Sequence, residues 1–213
     1  MTADPRLDVV GDVIDVLHRR IAFVRPRDGS ALPPEQDPSG DEAHPAHWAE
    51  PWPSGIELAR AVSARDWSGA AVVELGCGLG LPAVAAALRG AQVLATDRSA
   101  DAVAFAAVNA ACNGVVVETA VCPWSAPGLL IDRAPWRLVL AADVLYGQRN
   151  VAELLDLLPR LVDGTGEVWL ADPRRPLTGE FLTAARSRWG RVDTVGTDSS
   201  EIVVHRLAES RKP

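Results

Sequence analysis

Residues 72–82 read VVELGCGLGLP. Two valines and an acid, Glu74, run into three glycines within five residues, Gly76, Gly78 and Gly80, and then into Pro82 and an alanine-rich stretch. Alternating glycines let a backbone turn tightly and approach a neighbour without Cβ clashes. Pro82 suits the first turn of a following helix, where its missing N–H costs nothing. The stretch therefore predicts a strand, a glycine turn, and a helix whose free N–H groups lie behind that turn. A loop that only reverses the chain does not need glycine at this density.

On either side the same alternation recurs. AAVVEL (70–75) precedes LPAVAAALR (81–89), AQVLATD (91–97) precedes ADAVAFAAVNAA (100–111), and VVVETAV (115–121) follows. RLVLAAD (137–143) then precedes NVAELLDLLPRLV (150–162), and GEVWLAD (166–172) precedes LTGEFLTAARSRW (177–189). RVDTVGT (191–197) and EIVVHRL (201–207) read as a closing pair of strands. The β-rich runs are apolar on both sides, as when helices cover both faces of a parallel sheet. This predicts an α/β fold with a doubly wound sheet. Ligands in such sheets bind beyond the carboxyl ends of the strands, near the switch point.

Towards the N-terminus, Leu7, Val10, Ile14, Leu17, Ile21 and Val24 recur at helical spacing and predict a helix over 7–24. Residues 25–45, rich in Pro, Gly, Asp and Ser, predict a loop. Residues 1–44 are thus expected to be a helix and linker, and 45–213 a single domain. Ser54 with Glu57 three residues on predicts a capping box opening a helix to about Ala64.

The formal charge of −7 disfavours a general nucleic-acid binder, which needs a basic face. Lys212 is the only lysine among the basic residues. Cys77, Cys112 and Cys122 lack CxxC spacing, so neither a disulfide framework nor a zinc site is expected; His44 and His47 read as solvated loop residues. The acidic, interrupted N-terminus does not resemble a signal peptide, and no apolar run approaches the ~20 residues of a membrane span. A cytoplasmic protein is the expectation.

Two cofactor classes use a glycine turn at a helix end. A dinucleotide site calls for GxGxxG, and counting from Gly76 the third glycine is replaced by Leu81. Glu74 beside the turn suits a ligand with a positive amino group and no phosphate, such as S-adenosylmethionine. Asp97, at the end of the second strand, occupies the position that hydrogen-bonds ribose hydroxyls, although it or Ser99 can also cap the next helix. Trp124, in the turn VCPWSAP, suits a cover for adenine; the alternative is a lid on the sheet edge.

The fourth strand delivers Asp143 to the same edge, and Tyr146, the only tyrosine, lies three residues on. Methyl transfer from a sulfonium requires the protein to position a nucleophile and manage its charge. For a lysine amine at neutral pH, deprotonation costs about 4 kcal/mol. A carboxylate can draw in the ammonium, desolvation near a cation lowers the amine's pKa, and a phenol ring adds a cation–π contact of ~0.5–2 kcal/mol. Alternatively Asp143 caps the helix near Asn150, with Tyr146 as packing.

These residues together resemble the seven-strand S-adenosylmethionine-dependent methyltransferases. Within them the chain is similar to the family of protein-lysine methyltransferases and bacterial nicotinamide N-methyltransferase-like proteins. The likeness covers roughly residues 45–205. It rests on HWAEPWPSGIELA, VVELGCGLGLP, Asp97, and the D-x-x-Y signature Asp143-Val144-Leu145-Tyr146. LADPRRP fills the place of a D-P-G-R-like element, as in electron-transfer-flavoprotein lysine methyltransferases. The resemblance implies a Rossmann-like seven-strand sheet, mostly parallel with an antiparallel C-terminal strand. It implies that Glu74, Gly76, Gly78, Asp97, Trp124 and Ala142 contact the cofactor, that Trp52 lines its methionine end, and that Asp143 and Tyr146 face the acceptor amine. Relatives place an acid just before the Trp124 position; Pro123 here leaves that task to a backbone group. Asp172 and Arg174 either shape the acceptor mouth or form a structural turn. The expected activity is N-methylation of a protein lysine. A small-molecule amine acceptor, an NAD-type oxidoreductase and a non-catalytic module are the rivals.

Overall fold

The computed structural model describes residues 8–17, 19–36 and 43–209; Leu7, His18 and Lys212 lie outside them. The helix expected at 7–24 is instead an antiparallel hairpin of β1 (Val9–Val16) and β2 (Arg19–Pro26), paired from Val9↔Pro26 to Val16↔Arg19. The physical reason is alternation: Ile14 and Val16 on β1, and Ile21 and Phe23 on β2, turn one face inward at period two. β-Branched residues crowd this segment and favour a strand. Two further short strands, β3 (Glu35–Gln36) and β4 (Ala43–His44), pair within the stretch expected to be a loop.

Helix α1 spans Pro53–Ser63. The capping box does not form. Pro53 needs no N–H partner and starts the helix early, with Trp52 at its N-cap, so Ser54 falls inside and Glu57 bonds Arg60 at 2.5 Å instead.

The main sheet follows: β5 (Ala71–Leu75), β6 (Gln92–Asp97), β7 (Glu118–Val121), β8 (Leu138–Ala142), β9 (Glu167–Asp172), β10 (Arg191–Gly196) and β11 (Val203–Ala208). Their spatial order is β10-β11-β9-β8-β5-β6-β7. Only β11 runs against the rest, pairing antiparallel with both β9 and β10. Helices α2 (Leu81–Leu88), α3 (Ala100–Cys112), α4 (Gly128–Asp132), α5 (Gln148–Leu161) and α6 (Pro176–Ala185) connect the strands. Successive strand residues feed opposite layers. Val72, Leu138, Leu140 and Trp169 join α1, α2, α3 and the hairpin, whereas Val73, Val139, Val168 and Leu170 join α5 and α6.

The hairpin is tied to α3 by Asn109, which is wholly buried. Its Oδ1 accepts from Val24 N at 2.8 Å, and its Nδ2 donates to Leu79 O in the glycine turn at 2.9 Å. Replacing Asn109 by Ala leaves both backbone groups unpartnered, at about 1–3 kcal/mol each. We expect Asn109→Ala to lower unfolding free energy by about 2–4 kcal/mol, read from the urea midpoint. A change below about 0.5 kcal/mol would show that packing and the hydrogen bonds between Asn113 and Ala22 hold the hairpin without Asn109.

Candidate active site

β5 neighbours β6 on one side and β8 on the other, so the chain's direction of travel across the sheet reverses there. The carboxyl ends of these strands open into a cavity of about 380 Å³. Trp52, Glu74, Gly76, Gly78, Asp97, Trp124, Ala142, Asp143 and Tyr146, singled out from the sequence, all line it.

The glycine turn forms the floor. Gly78 has φ +49, and a Cβ there would stand 3.2 Å from Trp48 O, so the turn and the segment before α1 touch backbone to backbone. Gly80, at the N-cap of α2 with φ +74, would bring a Cβ to 2.8 Å from Ala106 Cβ. The third glycine thus serves packing against α3.

Two carboxylates wall this end. Glu74 Oε2 accepts from Ala83 N at 2.8 Å, in the first turn of α2. Asp97 Oδ2 accepts from Gly78 N and Oδ1 from Ser99 N, both at 3.0 Å. Ser99, not Asp97, caps α3 by accepting from Ala102 N. Burial, with a smaller contribution from Asp97, pushes the Glu74 carboxyl well above its ordinary value of 4.5, against the pull of the Ala83 bond. A buried acid of this kind fits a ligand carrying positive charge, as the amino group and sulfonium of S-adenosylmethionine do. Burial also raises the Cys77 thiol, so the cysteine in the turn is no thiolate nucleophile at neutral pH.

This sets the sign of a pH effect. With its folded value raised, Glu74 contributes stability that is present below about pH 4.5 and lost as pH rises through the folded value. A cationic ligand prefers the ionised acid, so its affinity should rise with pH over that window, with a proton released on binding. Glu74→Gln keeps an acceptor for Ala83 N. We expect it to stabilise the ligand-free protein at pH 7 and to flatten the pH dependence of cofactor affinity, measured by calorimetry in buffers of different ionisation enthalpy. Unchanged proton release in the variant would assign that release elsewhere.

Trp124 flanks the turn; a Cβ on Gly76 would meet its Cζ2 at 3.4 Å. Pro123 joins it in the cavity wall. Trp52, also in the cavity wall, is 38% exposed, and its Nε1 donates to His47 O at 2.7 Å. This fixes a flat side chain at the mouth.

At the other end stand Asp143 and Tyr146. Asp143 adopts φ +59, a left-handed conformation that Asp tolerates better than most residues. It does not cap α5, whose N-cap is Gly147; Asn150 Nδ2 instead donates to Val144 O at 3.1 Å. Tyr146 is 55% exposed at the rim and is not packing cover.

The sequence missed the partner of Asp143. Arg175 donates to Asp143 Oδ1 from Nε at 2.9 Å and again from Nη2. Asp172 is buried and shapes this contact from below: its Oδ1 accepts from Arg175 N at 2.7 Å and Thr178 Oγ1 at 2.6 Å. Asp172 therefore builds the turn after β9. Arg174 takes φ +61 and is absent from the cavity wall, whereas Arg175 joins it. Arg175 precedes Pro176 and is held extended, at φ −56 and ψ 151, which aims it back across the strand ends. The proline was the available signal.

Comparison with known proteins gives the family and the fold. A family model described as lysine methyltransferase matches residues 49–187. Protein N-lysine methyltransferase METTL21A of Danio rerio is 33% identical over 153 residues, covering 68% of this chain and 69% of that protein. The electron transfer flavoprotein beta subunit lysine methyltransferase of Xenopus laevis is 33% identical over 162 residues, covering 73% of this chain and 63% of that protein. The match thus spans less than two thirds of this second relative. Among solved structures, the T. thermophilus 16S rRNA N2 G1207 methyltransferase, in complex with AdoMet and guanosine, superposes with a TM-score of 0.70 at 16% identity. That likeness covers 95% of this chain and 51% of that one, and it is a likeness of fold.

Proposed function

From the chain's membership of the lysine methyltransferase family, an S-adenosylmethionine-dependent class, we propose that it methylates a lysine side chain of a protein substrate. The observation that carries this reading is one cavity joining the glycine turn and its two carboxylates to the Asp143–Tyr146 corner. When bound, S-adenosylmethionine supplies an electrophilic methyl carbon on a cationic sulfur. Asp97 binds the ribose hydroxyls, Glu74 holds the charged end through the first turn of α2, Gly76 and Gly78 admit the ligand to the backbone, and Ala142 lines its path. Trp124 covers the adenine, with Pro123 leaving the adenine amino group to a backbone acceptor, and Trp52 closes the methionine end. Asp143 orients the amine, and Tyr146 steadies it by its ring or hydroxyl.

A protein acceptor is supported by an open rim with two exposed aromatic side chains, Trp52 and Tyr146, enriched residue types at interfaces. The net charge of −7 suits a basic segment better than a nucleic acid. We place the reaction in the cytoplasm, where the free thiols Cys77, Cys112 and Cys122 stay reduced. No helix among the described residues is long and apolar enough to cross a membrane.

The test is a comparison of methyl-lysine across a host proteome with and without this protein. Sites that lose methylation on deletion and regain it with the wild-type gene support the proposal. Methylation that changes only in the small-molecule fraction would move the acceptor to a free amine.

A further inference from the structure

The Asp143–Arg175 pair has a consequence for the acceptor. A carboxylate facing an amine pocket would ordinarily serve as the anion for an ammonium ion. Here a guanidinium already occupies it, and both guanidinium bonds go to Oδ1. The Asp143 side chain is 8% exposed, so no bulk water screens the contact on that side; the Arg175 side chain is 33% exposed and faces the cavity.

Other charges do not undo this. From α5, Arg149 and Glu153 line the cavity and bond each other at 3.0 Å. Tyr146 lines the same cavity, as do His47 and Glu50 from the segment before α1. Glu74, Asp97 and Arg98 belong to the far end, on β5 and at the end of β6. From α6, Glu180 is engaged with Gln148 at 3.1 Å. At the corner itself, the carboxylate and guanidinium form a net-neutral pair.

We propose that Arg175 makes the acceptor corner selective for the uncharged amine: it fills Asp143 Oδ1 and leaves Oδ2 to receive an N–H from a neutral nitrogen. This rests on the amine-acceptor reading above. An ammonium at Oδ2 would lie within a few ångströms of the guanidinium, where like-charge repulsion at an effective dielectric near 20 weakens binding by at least about tenfold. A neutral amine escapes that repulsion and has its lone pair free. The lone pair forms the N–C bond as the C–S bond breaks with its electrons returning to sulfur, so positive charge passes from sulfur to nitrogen. The surplus N–H proton then leaves to solvent. Arg175 touches Asp143 rather than the reacting atoms, so it is a positioning and selectivity residue.

The test uses two small amines and the cofactor-free protein, followed by the fluorescence of Trp52 and Trp124 in the cavity wall. n-Butylamine is a cation near pH 7.5, and 2,2,2-trifluoroethylamine, its amine acidified by fluorine, is neutral there. Arg175→Gln should bind n-butylamine at least about tenfold more tightly than wild type, with trifluoroethylamine affinity changed less than about twofold. Arg175→Lys keeps the cation and should restore the wild-type preference. Wild type alone carries the same test without a variant: its n-butylamine affinity should rise about tenfold per pH unit below the amine's own pKa. Amine binding with the same preference in wild type and Arg175→Gln, or wild-type affinity independent of pH, would overturn the inference alone. Failure of both amines to bind either protein would overturn the inference together with the amine-acceptor reading.

Discussion

Asp97→Ala is expected to abolish measurable cofactor binding while the protein remains folded. The carboxylate stands at the end of β6, beside the glycine turn, and accepts from Gly78 N and Ser99 N. Two ribose hydroxyls donating to such an acceptor contribute about 1.5–3 kcal/mol each. Their joint loss corresponds to a fall in affinity of about 10²–10⁴-fold. Gly78 N also loses its acceptor, so the turn loosens where the ligand must lie. Folding survives because Ser99 caps α3 independently. Calorimetric titration with S-adenosylmethionine reads the result directly. Affinity undiminished in Asp97→Ala would reject the ribose assignment.

The second large effect is expected at Asp143 and separates chemistry from cofactor binding. Asp143→Asn keeps the side-chain volume and the tolerance for positive φ that the position demands. It removes the negative charge. Arg175, one third exposed, can turn to solvent, so the cost in stability is about 1 kcal/mol. Cofactor affinity should stay within about twofold, because the glycine turn, Glu74 and Asp97 are untouched. Turnover should fall by about 10²–10³-fold, since the amide oxygen stays with Arg175 and an NH₂ group replaces the free oxygen that orients the amine. Full turnover of Asp143→Asn on a verified substrate would remove Asp143 from the acceptor role.

The body of the fold was legible because its physics is local. Buried parallel strands such as 138–142 are apolar throughout, and their connecting helices are rich in Ala and Leu. The cavity residues were legible for a related reason: topology sends them to one sheet edge, so a strand that ends in Asp97 or an exit that carries Asp143 announces itself. The N-terminal hairpin misread because Val10, Ile14, Leu17, Ile21 and Val24 satisfy a helical spacing. Burial instead follows Ile14–Val16 and Ile21–Phe23. Nothing local says that these two runs pair with each other and dock on Asn109. Arg175 was hidden behind Arg174, an identical residue one position earlier; only the backbone of the turn after β9 decides which of the two meets Asp143. Glu57, read as half of a capping box, went to Arg60 because Pro53 moved the N-cap two residues back, from Ser54 to Trp52.

The most direct measurement incubates the purified protein with methyl-labelled S-adenosylmethionine and a host lysate, then identifies the labelled compound after acid hydrolysis of the protein fraction. The expected product is labelled N-methyl-lysine, formed by wild type and missing with Asp143→Asn. Label confined to small amines, or the same labelled lysine with Asp143→Asn as with wild type, would contradict a methyl group passed from the glycine-turn end of the cavity to a protein lysine at Asp143.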